Sequence, residues 1–383
     1  MKITCVQAIP LSATWERVYQ GAEAVPRELR HPAAHFMSVA RTGQFSTIVT
    51  VTAENGAQGI GEAWGLPLPG VTALLINDFL APLLRGRDLE EHAEIWSMLL
   101  DYLTRLGHSR GFLMEALSGI DIALWDLRAR LLGQPLNHLL GTSQCDKIEV
   151  YASPVLFKAT PEESAQAALA FRDRGFRGIK IKAGRDPSID AAHIATIREA
   201  VGPDLTLMVD VNGGYDADTA IIFAEKIARY RIAWMEEPIP PGQIGELARV
   251  RNLSPVPIAT GENDFSPQTF ANLLEREAVD IVQPNVTRAG GITGTLRIAG
   301  LTSEHGATVS LHGVGSGLMQ AASLHVMSVL PHATLFELNQ FPNPLREGLV
   351  APPISFQDGY LHVPTGPGLG CEIVSETLHR YRD

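Results

Sequence analysis

Gly178-Ile179-Lys180-Ile181-Lys182-Ala183-Gly184 is a short alternating run closed by a glycine. Side chains along a strand point to opposite faces in turn, so Lys180 and Lys182 share one side and Ile179 and Ile181 the other. Two readings fit this arrangement. Lysines on an exposed edge strand protect a sheet against unwanted pairing. Lysines inside a barrel instead place two cations where one can act as a base. The flanking chain decides between them.

Working outward, the runs at 147–152, 178–182, 206–211, 232–236, 256–260, 279–283, 307–311 and 334–337 are short, apolar and β-rich, with helix-length stretches between them. Strands alternating with helices imply right-handed βαβ units and a parallel sheet. Eight such runs fit a closed barrel better than an open doubly wound sheet. The Gly-rich HGVGSG at 312–317 lacks the spacing of a dinucleotide-binding loop and comes late in the chain, so nucleotide binding is not expected there.

The N-terminal texture differs. Lys2 to Ile9 and Ser46 to Ala53 read as strands, and Asn55-Gly56 is a hairpin signal leading into Gln58 to Glu62. Helical patterns follow over 71–84, 89–103 and 111–132, with Gly133 where a C-terminal cap belongs. Residues 12–44 show no sustained periodicity and carry Trp15, Tyr19, Arg27, Arg30, His31, His35 and Arg41. A long irregular loop in a compact domain is more often functional than idle. His31 and His35 have helical zinc-ligand spacing, but no third ligand stands nearby, so solvent- or substrate-facing roles are expected instead.

At 383 residues the chain is long enough for two domains, and its net charge of −11 is spread without a basic face or run. Nucleic acid is therefore not an expected partner. No apolar run approaches the roughly 20 residues that span a bilayer, so no membrane partner is expected, and the N-terminal MKITCVQAIPLSATW does not resemble a signal segment. Cys5, Cys145 and Cys371 are scattered and unpaired in sequence, which suits a reducing cytoplasm.

In a barrel, functional groups sit at the C-terminal ends of the strands. Those ends carry Lys180, Lys182, Asp210, Asn212, Glu236, Glu262, Asn285, His312 and Glu337. Asp210, Glu236 and Glu262 are each 26 residues apart, one βα unit per carboxylate. Three carboxylates side by side repel one another unless neutralised. A hard divalent cation with oxygen ligands, with Mg²⁺ the one expected, is the natural solution.

VDVNGG at 209–214, MEEP at 235–238, TGEN at 260–263, QPN-VTR-AGG at 283–291, SLHG at 310–313 and GIKIKAG resemble the enolase superfamily, specifically its mandelate racemase subgroup. The resemblance extends to ALSGIDIALWDL at 116–127, and to PNPLRE and PGLG near the C-terminus. It implies an α/β chain: an N-terminal α+β capping domain at 1–133, a modified TIM barrel, (β/α)7β, at 134–345, and a segment at 346–383 returning to the cap. It also implies Mg²⁺ held by Asp210, Glu236 and Glu262, proton abstraction next to the carboxylate of a small acid, and assembly into a homo-oligomer.

The chemistry of the residues agrees. Removing a proton α to a carboxylate yields a dianionic enediolate, so positive charge must already be in place. A lysine base beside Mg²⁺ is the known solution in enolase-type sites. Lys182 is expected as base, with Lys180 favouring loss of its proton and touching the substrate carboxylate. Glu337, if protonated, would donate to the same carboxylate. His312 belongs opposite, where the family pattern orients a histidine with an aspartate. This chain has Asn285 at that position. An asparagine that accepts from the imidazole brings no charge to stabilise imidazolium, which weakens His312 as a base. Asn212 is expected to contact substrate, and Arg288 to contact substrate or Asn285, with a surface ion pair as the other role open to Arg288. Dehydration of a sugar acid to a 2-keto-3-deoxy acid is therefore expected ahead of racemisation, epimerisation or lactone cycloisomerisation. A binding protein that has lost catalysis is the remaining alternative, and the intact lysine and carboxylates weigh against it.

Overall fold

The computed structural model describes residues 1–331 and 333–383. Three antiparallel strands, β1 (Ile3–Thr14), β2 (Gly43–Ala53) and β3 (Gln58–Trp64), pair in that order at the N-terminus. β1 runs past the expected Ile9 because its pairing with β2 persists to Thr14 opposite Gly43, with Leu11 and Ala13 fully buried. The irregular segment thus shrinks to residues 15–42. It is broken by short helical turns and pinned by a small apolar cluster of Trp15, Val25, Leu29 and Phe341. Helices α1 (His92–Arg105) and α2 (Phe112–Leu131) complete this part, and α2 packs on β2 and β3.

The eight β-rich runs become β4 (Lys147–Val155), β5 (Gly178–Lys182), β6 (Thr206–Asp210), β7 (Ile232–Glu236), β8 (Ile258–Thr260), β9 (Ile281–Val282), β10 (Thr308–Val309) and β11 (Phe336–Asn339). From β4 to β10 each pairs in parallel with the next, and β11 returns to pair with β4. The seam between β10 and β11 is joined by Thr334 N–H donating to Val309 O at 2.9 Å and Ser310 Oγ to Leu335 O at 2.6 Å. Tyr151 of β4 and Met208, Trp234, Ala259 and Ile281 of β6 to β9 form a separate small cluster. The chain is thus an α/β barrel fold with an N-terminal β-rich unit. Near the C-terminus, Leu369 N–H donates to Asp126 at 2.7 Å, and Ser12 Oγ donates to Asp383 at 2.6 Å.

The barrel helices differ in how their first turns are satisfied. Helices α3 (Pro161–Asp173), α4 (Pro187–Val201) and α5 (Ala217–Ile227) use their own Thr160, Asp186 and Asp216 as N-caps. After α6 (Ile244–Leu253), α7 (Pro267–Glu275) uses Ser266 likewise. Helix α8 (Gly291–Glu304) starts from Gly290 with no side-chain cap of its own. Asp121 on α2 supplies one, accepting from Thr293 N–H at 2.8 Å and Thr293 Oγ1 at 2.7 Å, while Ser118 Oγ accepts from Gly290 N–H at 2.9 Å. Gly291 has φ +76°, and a Cβ there would run into the Asp121 carboxylate. The matched runs ALSGIDIALWDL and AGG are the two halves of one joint.

Helix α9 (Gly317–Val329) is held similarly. Glu62 on β3 accepts from Ser316 N–H at 3.0 Å, Met319 N–H at 2.9 Å and Ser46 Oγ at 2.9 Å. The N-terminal unit therefore fixes the helices that follow Asn285 and His312. Cys5, Cys145 and Cys371 are free thiols. Among the described residues, no helix is long and apolar enough to cross a membrane.

Candidate active site

Strand register sets the first row of the site. Lys182 lies opposite Asp210 across β5 and β6, and Asp210 opposite Glu236 across β6 and β7. One ligand atom each from Asp210, Glu236 and Glu262 lies within 4.8 Å of the others. This is the one potential metal cluster found among the described residues, and His31 and His35 do not form another. His31 Nδ1 instead sits 2.7 Å from Phe36 O.

The two lysines stand among these carboxylates. Lys180 Nζ is 2.7 Å from Glu236, 3.0 Å from Glu337 and 3.6 Å from Asp210. Lys182 Nζ donates to Asp210 at 2.6 Å and also to Asn212 Oδ1. Lys180 is 1% exposed and Lys182 11%, so Lys182 is the one open to the cavity. Burial works against the Lys180 ammonium, yet Glu236 and Glu337 outweigh it and hold it charged well above the ordinary lysine value. Burial likewise opposes ionisation of Asp210, but Lys182 and Lys180 keep it below the ordinary carboxylate value. For Glu236, burial wins: with Asp210, Glu337 and Glu262 adding repulsion, its carboxyl is pushed up to about 8 despite Lys180. So crowded an oxygen-only donor set fits a hard divalent cation.

Glu236 is further oriented by groups that periodicity alone does not reveal. Gln283 Nε2 donates to it at 2.8 Å and Trp234 Nε1 at 3.3 Å. Gln283 and Trp234 lie inside or beside the quoted runs, so position was a signal even though their role was not.

The histidine side departs from expectation. Asn285 Oδ1 accepts from Thr287 N–H at 2.9 Å and Thr287 Oγ1 at 2.7 Å. Because a backbone N–H can only donate, this fixes the amide orientation. Asn285 Nδ2 then donates to Val314 O at 2.9 Å and meets His312 Nδ1 at 2.9 Å. Asn285 is thus the donor to His312, not the acceptor. The imidazole proton is left on Nε2, which faces Glu262 at 3.3 Å and Glu337 at 3.7 Å. Burial pushes His312 down to about 4 against the pull of Glu337.

Glu337 could donate to a substrate carboxylate only if protonated, and its neighbours work against that. Burial favours its neutral form, but Lys180, His312 and the Gly313 N–H at 2.9 Å hold it well below the ordinary carboxylate value. It is an acceptor here. Gly313 must be glycine, since a Cβ would collide with the Glu337 carbonyl.

Arg288 does not reach Asn285 with its side chain. It pairs with Glu115 of α2 at 3.1 Å, donates to Glu262 O at 2.8 Å and stacks between Trp64 and Phe265. Burial pushes Glu115 up to about 7, against Arg288. A cavity of about 430 Å³ brings together Lys180, Lys182, Asp210, Asn212, Glu262, Arg288, His312 and Glu337. Glu236 and Asn285 lie behind it, touching lining residues. The 15–42 segment and β3 add His35, Arg41 and Trp64 to its wall.

Two family models match the chain: "Mandelate racemase / muconate lactonizing enzyme, N-terminal domain" over residues 22–141, and "Enolase C-terminal domain-like" over 162–377. The chain belongs to the mandelate racemase subgroup of the enolase superfamily. It is 33% identical over 346 residues to a D-galactarolactone cycloisomerase of Agrobacterium fabrum, covering 88% of this chain and 90% of that one. It is 28% identical to an arabinonate dehydratase of Saccharolobus solfataricus, covering 96% and 98%. Among solved structures, a racemase from Streptomyces coelicolor with bound magnesium superposes with TM-score 0.87 at 27% identity, covering all of both chains. Relatives of this subgroup are thus enzymes, dehydratases and cycloisomerases among them.

Proposed function

We propose that this enolase-superfamily enzyme dehydrates a sugar acid to a 2-keto-3-deoxy acid, with Lys182 as the base and Mg²⁺ held by Asp210, Glu236 and Glu262. The single observation that carries this reading is the row Lys182–Asp210–Glu236 across adjacent strands, which sets a lysine amine beside the carboxylate cluster at the cavity floor.

When bound, Mg²⁺ supplies positive charge to the substrate carboxylate as negative charge develops there. Lys180, buried and charged, faces the same region and stabilises that charge from beside it. Lys182 Nζ takes the α-proton, and the electron pair moves into the carboxylate. As the enediolate collapses, the β-carbon–oxygen bond breaks, and the proton on the Lys182 ammonium leaves with that oxygen as water. The enol then tautomerises to the 2-keto acid. His312 donates a hydrogen bond from Nε2 to the departing oxygen. Its ring is held for that task through a short relay, since Thr287 and Val314 hold Asn285, and Asn285 holds His312.

The Asn285 orientation supports one-sided chemistry. A base at His312 would need a free nitrogen lone pair toward substrate, and Nε2 carries the proton. The likeness to a lactone cycloisomerase favours a second ending on the same scaffold. Incubating the Mg²⁺-loaded protein in D₂O with a library of aldonic and aldaric acids distinguishes the two. Dehydration gives a 2-keto acid detectable with semicarbazide. Isomerised lactone without keto acid, or α-deuteration with inversion, overturns the dehydratase reading.

A further inference from the structure

Behind Asp210, Glu236 and Glu262, hydrogen bonds run from one strand end to the next. Gly213 N–H, after β6, donates to Glu237 O, after β7, at 2.8 Å. The Glu237 carboxylate in turn accepts from Asn263 Nδ2, after β8, at 2.8 Å. Arg288, after β9, closes the run, donating from Nη1 to Glu262 O at 2.8 Å and to Asn263 Oδ1 at 3.2 Å. A guanidinium can only donate, so Asn263 turns its oxygen to Arg288 and its amine to Glu237. The segments that follow the three carboxylates are thereby tied into one belt.

The belt is anchored outside the barrel. Arg288 Nε donates to Glu115 on α2 at 3.1 Å, and the guanidinium lies 4.8 Å from the Trp64 ring centre and 4.6 Å from that of Phe265. A planar fork held by an ion pair and two rings has a fixed direction. Within the belt, Glu237 has φ +40°, a conformation that a glutamate keeps only where its surroundings impose it. The Gly213 and Asn263 bonds grip it from both sides. Charge alone gives Arg288 no part in holding a metal ion, since one cation repels another. Geometry does, because Mg²⁺ demands near-octahedral oxygens at short distance, whereas the larger Ca²⁺ accepts looser and more irregular sets.

We infer that Arg288 is a positioning residue for the metal site: through Asn263 and Glu237 it fixes the spacing of Asp210, Glu236 and Glu262, so that the cluster prefers Mg²⁺ to Ca²⁺. This rests on the Mg²⁺ reading proposed above and adds the residues that set the choice of ion. Because Glu115 holds Arg288, the N-terminal unit takes part in that choice.

The test is calorimetric titration of the EDTA-stripped, full-length protein with Mg²⁺ and with Ca²⁺. The readout is the ratio of the two affinities, because a change of charge or a loosening of the whole fold shifts both divalent ions alike. Wild type should bind Mg²⁺ more tightly than Ca²⁺. Arg288→Met should lower the Mg²⁺/Ca²⁺ ratio about 30-fold, and Asn263→Ala, which breaks the belt without changing charge, about 10-fold. Arg288→Lys keeps the charge but not the fork, and its ratio should fall between those of wild type and Arg288→Met. If Arg288→Met does not fold, Asn263→Ala decides alone. A ratio unchanged in either folded variant, or a wild-type preference for Ca²⁺, overturns the proposal while leaving metal binding by the carboxylates intact. No binding of Mg²⁺ by wild type overturns the metal reading and this inference with it.

Discussion

Lys182 and His312 both reach the cavity from strand ends, yet their surroundings prepare them for different work. Lys182 sits in a row of charged groups, with Asp210 as its strand neighbour and the Lys180 ammonium two residues away. His312 is buried with a neutral amide at its back, and that amide donates to Nδ1. The two residues share a pocket but not a polarity. What separates them is the partner behind each: charged groups on one side, and on the other an asparagine whose oxygen Thr287 has already claimed. A residue's place at the mouth of a barrel therefore does not establish its acid–base role.

The largest expected effect tests the lysine side. Lys182→Ala should slow α-proton exchange in D₂O by about 10³-fold, with Mg²⁺ affinity retained by calorimetry. Full exchange in that variant would break the comparison at its stronger end. Chelation with EDTA should abolish exchange, and added Mg²⁺ should restore it.

A second buried histidine separates the effect of burial from that of catalysis. His325 on α9, away from the carboxylate cluster, is also pushed by burial to about 4. An unfolded histidine takes its proton near 6.5. Between these values the unfolded chain binds more protons, so stability falls as pH drops from about 6.5 to 4, by up to about 3 kcal/mol from this group. His325→Gln should flatten that part of the profile in denaturant melts at each pH. An unchanged slope would mean that burial alone does not depress histidines here, and the low value at His312 would need a local cause.

The joint behind the histidine side comes next. Asp121→Ala should cost about 2 kcal/mol, because it uncaps α8 and leaves His92, 2.9 Å away, without its partner. Urea unfolding measures it. Stability equal to wild type would show that the cap joint is not holding the Asn285 side.

The smallest effect is the sharpest for the comparison. Asn285→Asp should move the His312 proton to Nδ1, visible in ¹⁵N shifts, and raise exchange from the histidine side about 10-fold. An Nε2 proton retained in the variant would contradict the donor role of Asn285.

Much of this was legible along the chain. The alternating GIKIKAG run, the eight β-rich runs and the even carboxylate spacing follow from side-chain period and βα length, which are local properties. Asp210, Glu236 and Glu262 could be grouped because one repeat separates each from the next. Local pattern did not reveal that β1 continues to Thr14, since that depends on pairing with β2. Nor did it reveal that Asp121 and Glu62 serve helices far along the chain.

The sequence by itself determined the barrel, the row of carboxylates and the strand that carries the lysines, because periodicity and spacing are written one residue after another. The tertiary structure alone decided the direction of the Asn285 hydrogen bond, the ionised state of Glu337 and the pairing of Arg288 with Glu115. Those depend on which donor or charge lies across space from each group, and an amide, a carboxyl or a guanidinium takes its role from that neighbour.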